Sequence, residues 1–184
     1  MKKVFVGGSR KISKLNNVIK SKIDLVIKKE YTFLVGDAEG ADKSIQTYLF
    51  EKNYNNVLIY CTGTTCRNNK GNWKTVQVSS KHKPKTFEYY VEKDIRMAQD
   101  ADGGIMLWDS ESCGTLNNIL NLLRENKVCL VYLSTTKKIR KISKLDELRN
   151  ILLVSPQENL ISFEKKLHLS KTMDLNNSQL HFAI

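Results

Sequence analysis

The stretch Val4-Phe5-Val6-Gly7-Gly8-Ser9-Arg10 sets the architecture, and Gly104-Ile105-Met106-Leu107-Trp108, running on into Asp109-Ser110-Glu111-Ser112-Cys113-Gly114-Thr115, repeats its logic in the second half. Each is an apolar run too short for a helix. Each closely precedes a glycine-bearing turn that leads into residues at helical spacing. A strand of a parallel sheet reads this way, because helices cover both its faces. At the carboxyl end of such a strand the turn presents free backbone N–H groups, where a Rossmann-like sheet receives a phosphate.

Outward from these turns the same alternation continues. Leu15, Val18, Ile19, Ile23, Val26 and Ile27 predict an amphipathic helix over about 13–28. Phe33-Leu34-Val35 is a second strand stopped by Gly36-Asp37, and a helix from about Ala41 puts Ile45, Tyr48 and Leu49 on its inner face. Val57-Leu58-Ile59-Tyr60 is a third strand, and residues 62–84 show no clear period. Phe87, Tyr90, Val91, Ile95 and Ala98 predict a helix at about 85–99. After the fourth strand, Gly104–Trp108, Leu116, Ile119, Leu120 and Leu123 give the next helix, and Val128–Leu133 is the fifth strand. The fold class expected is α/β, a Rossmann-like doubly wound parallel sheet of about five strands. Residues 1–133 form the nucleotide-binding domain, and 134–184 form a mainly helical extension. In that extension Ile142, Leu145, Leu148, Ile151 and Leu152 suggest one helix, and Leu160, Ile161, Phe163 and Leu167 another. The tail after Ser170 is polar until its last few residues, and the extension is read as a cap or an oligomerisation arm, with a homo-oligomer as the matching expectation.

The chain has 184 residues, 41% apolar and 27% charged, as in an ordinary soluble globule. No run approaches the roughly 20 apolar residues of a membrane span, so no membrane partner is expected. The first strand starts within three residues of Met1, so no signal peptide is expected and the protein is read as cytoplasmic. Cys61, Cys66, Cys113 and Cys129 lack metal-type spacing, and Cys61 and Cys129 are read as small buried thiols in a reducing cytosol. His82, His168 and His181 are scattered, so neither a metal nor a cofactor is expected. The net charge is +11. Residues 62–86 contribute Arg67, Lys70, Lys74, Lys81, Lys83 and Lys85 without an acid. That segment reads either as a phosphate- or nucleic-acid-binding loop or as a solvated lysine-rich surface.

Four clusters could carry chemistry. In the first turn Gly7 and Gly8 would let a ligand approach, Ser9 would donate its hydroxyl, and Arg10 would grip an oxyanion with two parallel bonds. The bland alternative is a plain connection with a surface arginine. In Gly36-Asp37-Ala38-Glu39-Gly40-Ala41-Asp42, Asp37 suits a ribose hydroxyl or a base amino group, while Asp42 reads slightly better as charge compensation at a helix start. Asp94 falls at the edge of an apolar face and either pairs with Arg10 or Arg67 or is a boundary residue. In the last cluster, beyond Asp109 and Ser110, the amides of 113–115, the hydroxyls of Ser112 and Thr115 and the positive helix end make an anion cradle, with Asn117 and Asn118 in the same first turn. Its alternative is a helix capped by Ser112 or Thr115.

Gly8-Ser9-Arg10, the run Gly36-Asp37-Ala38-Glu39-Gly40-Ala41-Asp42 and the late Gly114-Thr115 together resemble the SLOG superfamily, the Rossmann-like group of the LOG nucleotide-processing enzymes, the DprA core and the YspA/YpsA-like proteins. The similarity spans roughly residues 3–133 and is nearest the YspA-like branch. It implies binding of a nucleotide or nucleotide-derived signal, including NAD-derived ones, at the sheet's carboxyl edge, for sensing or sequestration. LOG phosphoribohydrolases, which cleave the N-glycosidic bond of nucleoside monophosphates, carry a glutamate three residues after the threonine of their Gly-Thr motif. Asn118 stands at that place here. An amide cannot act as a general base, so binding is expected ahead of hydrolysis unless Asp37, Asp94, Asp109 or Glu111 stands in. The DprA branch implies a third reading, single-stranded nucleic acid on residues 62–86, with Trp73 and Phe87 stacking bases.

Overall fold

Alternation along the strands divides the hydrophobic core in two. Phe5, Leu34, Tyr60, Met106 and Trp108 face one side of the sheet, while Val6, Phe33, Val35, Ile59, Ile105 and Leu107 face the other. A sheet apolar on both faces has to be covered on both. In the computed structural model, which describes residues 1–172, it is. Helices α1 (Asn17–Lys28) and α2 (Ala41–Glu51) cover the second face, with Ile19, Ile23, Ile45 and Leu49 inward. Helices α3 (Phe87–Asp100) and α4 (Cys113–Arg124) cover the first, through Met97, Ala98, Leu116, Ile119 and Leu120. Among the described residues, no helix is long and apolar enough to cross a membrane.

The strands are β1 (Lys3–Gly8), β2 (Thr32–Gly36), β3 (Val57–Thr62), β4 (Lys74–Val78), β5 (Gly103–Trp108), β6 (Cys129–Leu133) and β7 (Lys138–Ile142). They form one sheet in the order β4-β3-β2-β1-β5-β6-β7, and every pair is parallel except β6 with β7. The Rossmann-like α/β class is as expected, with seven strands in place of five. β4 escaped the sequence reading because its Val76 and Val78 alternate with polar residues inside a basic segment. β7 escaped because Lys138, Arg140 and Lys141 dominate it. Both are edge strands, where a charged outer row discourages pairing with another chain.

Beyond Leu133 the chain stays in this framework. β7 pairs with β6, so Ile142, read as helical, lies in a strand, and α5 (Leu145–Leu152) starts after it. In α6 (Gln157–Leu167) Phe163 is fully buried, its ring 6.0 Å from that of Trp108. A short α7 (Leu169–Thr172) follows, and His181 and most of the polar tail lie outside the described residues. Helix α1 starts four residues later than its apolar pattern, because Asn16 accepts a hydrogen bond from Ile19 N (3.0 Å) and fixes the helix start there.

The order reverses at β1 and β5. β1 is followed by a helix on one face and β5 by a helix on the other, so their turns part and leave a crevice at the carboxyl edge. The two strands approach closely at Gly8, where an added Cβ would fall 2.2 Å from the carbonyl oxygen of Leu107. Gly8→Ala is therefore expected to lower unfolding free energy by about 2–3 kcal/mol in denaturant titrations. Unchanged stability would mean that the β1–β5 contact is not tight.

Candidate functional site

Ser9 joins three parts of the crevice. Its N–H donates to Leu107 O (2.9 Å), its carbonyl accepts from Ile12 N and from Ala41 N (both 3.1 Å), and its hydroxyl donates to Asp109. Asp109 also accepts from Glu111 N (3.1 Å) and Ser112 N (2.8 Å). One serine thus ties the β1 turn to the β5 turn and to the start of α2. This corrects the expected roles of both residues: the Ser9 hydroxyl is committed within the protein, and Asp109 organises the turn. Ser110, at φ +66°, presents its carbonyl to Asn159 of α6 (3.2 Å).

The motif glycines divide sharply. Gly7 and Gly36 leave room for the carboxyl of Asp42, which an added Cβ would meet at 3.1 and 2.3 Å. Gly40 has φ +77° and lies against the Arg10 backbone, whose carbonyl oxygen an added Cβ would meet at 2.2 Å. Gly7, expected to let a ligand approach, lets the protein approach itself, and Gly36 and Gly40 do the same. Gly114 differs. A Cβ there would meet nothing closer than Ser112 Oγ at 4.0 Å, so it faces open space.

That space is a cleft of about 510 Å³ whose lining includes Gly8, Ser9, Arg10, Asp42, Asp109, Glu111, Ser112, Gly114, Thr115 and Asn118. Its volume falls in the usual range for small-molecule sites, roughly 300–1,000 Å³. Ser112 caps α4, accepting from Thr115 N (3.3 Å) and Thr115 Oγ1 (3.1 Å). Its oxygen takes two bonds, which leaves its own proton to donate. Cap and cradle are the same structure here. The free N–H groups of the first turn and the positive helix end complete it.

Helix α3 builds the facing wall with Phe87, Tyr90, Lys93 and Asp94. The sequence reading offered Arg10 or Arg67 as partner for Asp94. Its partner is the adjacent Lys93, whose side chain is only 6% exposed. Burial works against charge on Lys93, but attraction by Asp94 and Asp42 overrides it and holds the ammonium above its ordinary value. Asn118, with its amide nitrogen toward the acceptors, donates to Asp94 Oδ2 and Gly114 O (both 3.2 Å). Asp42 is more than a charge at a helix start. It is buried in the cleft floor, accepts from Ala38 N (3.2 Å), and burial pushes its carboxyl up to about 6.

The basic segment supplies what the motifs missed. Arg67 Nε and Nη2 donate to Asp37 (2.9 and 2.6 Å), and its N–H adds a third bond (3.0 Å). Burial alone would raise the Asp37 carboxyl, yet these bonds hold it below its ordinary value. Asp37 is thereby engaged by Arg67 and is absent from the cleft lining. The Arg67 guanidinium lies 4.4 Å from the centroid of the Tyr90 ring, and Arg10 lies 5.8 Å from it. Asn68 and Gln46 pin the same loop to the end of β2. Only the acid-free run around Arg67 hinted at this arrangement. Two further expectations are corrected. Cys61 is not a free thiol, because it forms a disulfide with Cys66. Trp73 is buried and donates to Tyr54 O (3.0 Å), so its ring has no free face for a base.

Glu111 sits exposed at the rim, bonded to Lys11. Among the described residues, no group of His, Cys, Asp and Glu side chains is placed to hold a metal ion. Comparison with protein-family models gives no match to this chain, and neither does comparison with curated proteins.

Because the folded state holds the Asp42 proton more tightly than the unfolded chain does, this group withdraws stability as pH rises from about 4 to about 6. The rise from 3.8 to about 6 corresponds to about 3 kcal/mol. Asp42→Asn should therefore gain stability relative to wild type across that window, by up to about 3 kcal/mol. Urea titrations at pH 4, 5, 6 and 7 measure it, and a difference independent of pH would contradict the assignment.

Proposed function

We propose that the cleft at the β1–β5 switch point binds a nucleotide or nucleotide-derived ligand and serves to sense or sequester it. The phosphate sits on the first turn of α4, and the nucleoside lies along Phe87 and Tyr90 of α3. Gly114 carries the reading. The other motif glycines accommodate protein atoms, whereas this one leaves an unfilled place at the first turn of α4. A phosphate oxygen fits such a place, since positive helix end and amides both favour an anion there. The motif resemblance to the SLOG superfamily supports the same ligand class, and so does the cleft's volume.

A second reading, hydrolysis of an N-glycosidic bond, is favoured by one observation. Asp94 lies within hydrogen-bond reach of Asn118, the position where a LOG enzyme would carry its glutamate, and it is paired with Lys93. A carboxylate there could steady positive charge on a sugar ring. Nucleic-acid binding loses one of its two stacking aromatics with Trp73 buried.

Gly114→Ala separates site from scaffold. The substitution meets no clash and suits a helix, so thermal stability should hold or rise slightly. Calorimetric affinity for nucleoside 5′-monophosphates should nevertheless fall at least tenfold, about 1.4 kcal/mol. Undiminished affinity would remove the phosphate from α4. Thr115→Val, which breaks the bond to Ser112, should cost about 0.5–1.5 kcal/mol of affinity. Chromatography of nucleotides incubated with the protein distinguishes the two readings. Intact recovery supports binding, and release of free base that Asp94→Asn abolishes supports hydrolysis.

A further inference from the structure

The arginines on the Tyr90 ring have no role in a cleft that takes a single phosphate at α4. Arg67 is held in place before any ligand arrives. Two of its five N–H donors are spent on Asp37, its loop is pinned to β2, and its plane rests on Tyr90 at 4.4 Å. Three donors remain on a side chain that is 35% exposed, and the residue lines the cleft. Arg10 lies over the same ring at 5.8 Å and lines the same cleft. Two guanidinium groups at one aromatic ring concentrate positive charge on this wall of the cleft, where an anion would be bound by charge-assisted hydrogen bonds.

Their place in the sheet fixes the spacing. Arg67 is anchored at the end of β2, and α4 begins beyond the end of β5, two strands away across β1. At about 4.8 Å per strand the ends of β2 and β5 stand about 10 Å apart. One phosphate cannot reach both. Phosphates on either side of a ribose stand farther apart than two directly linked ones and come nearer to that span. We propose that Arg67 and Arg10, aligned by Tyr90 and Asp37, form a second anion subsite, so that the ligand is a nucleotide bearing two phosphate groups separated by its sugar. Arg67 gives specificity here because Asp37 has already fixed its orientation, which lowers the ordering cost of binding. This inference rests on the phosphate site at α4.

The test is calorimetric titration with a nucleoside 5′-monophosphate, the matching 5′-diphosphate and the matching 3′,5′-bisphosphate. The bisphosphate is expected to bind at least tenfold tighter than the monophosphate, and the 5′-diphosphate to show less of that gain. Arg10→Ala and Arg67→Lys should each bring the bisphosphate-to-monophosphate affinity ratio toward one. Arg10 is exposed, so its variant tests the subsite without disturbing the loop. Equal affinity for monophosphate and bisphosphate, or a ratio that survives both substitutions, overturns the second subsite while the site at α4 stands. If none of the three compounds binds, the α4 site falls and this inference falls with it.

Discussion

The Ser9–Asp109 bond is the constraint on which the site depends. Two strand ends that lead to helices on opposite faces would otherwise part without a fixed relation between their turns. Ser9 fixes it with its N–H on β5, its carbonyl on α2 and its hydroxyl on Asp109. Asp109 passes the constraint on, since its other oxygen receives the N–H groups of Glu111 and Ser112 and so sets where α4 starts. Both residues are buried, so the network acts where water competes little and hydrogen bonds are strong. The first turn of α4 therefore holds its orientation whether or not a ligand is present.

Charge in the cleft is organised by depth. Lys93, Asp42 and Asp94 sit at its base, where the two acids offset the burial of Lys93 while burial still prevails at Asp42. Arg67 and Asp37 repeat the arrangement at its side. Buried pairs of this kind are weak evidence for stability, because desolvation consumes most of the attraction. Their better-supported use is to keep charged groups oriented in a dry place, where a ligand's charge is felt at reduced screening.

Much of this was legible before any coordinates. Short apolar runs punctuated by glycine gave the parallel core, since burial on both faces leaves a direct mark on composition. The edge strands were not legible, because β7 reads as a charged run and β4 as valines alternating with polar residues in a basic segment. Motif positions located the crevice, yet the roles within it could not be read. A serine beside a glycine donates equally well to a ligand or to Asp109, and only the β1–β5 register decides. Gly7, Gly36 and Gly114 look alike as letters, and the neighbour that an added Cβ would meet separates them. Arg67 was hidden for another reason: it comes from a loop without period and meets Asp37 across 30 residues.

The chain's surplus of cations has uses that need no nucleic acid. Lys127 donates to the carbonyls of Ala98 and Gln99 (2.7 and 2.6 Å), satisfying the otherwise bare end of α3. Lys28 and Lys165 sit in the last turns of α1 and α6, where the helix dipole favours positive charge. Lys138, Arg140 and Lys141 line the open edge of the sheet. Each of these would be kept by a protein with no polyanionic partner, so net charge alone argues little about ligand. The cations that do argue are the few placed on the cleft with an orienting partner, because a fixed charge beside a cavity raises affinity for an anion and a mobile one on open surface hardly does. By that criterion Arg67, held by Asp37 and lying on Tyr90, says more about what this protein binds than the rest of the basic segment together.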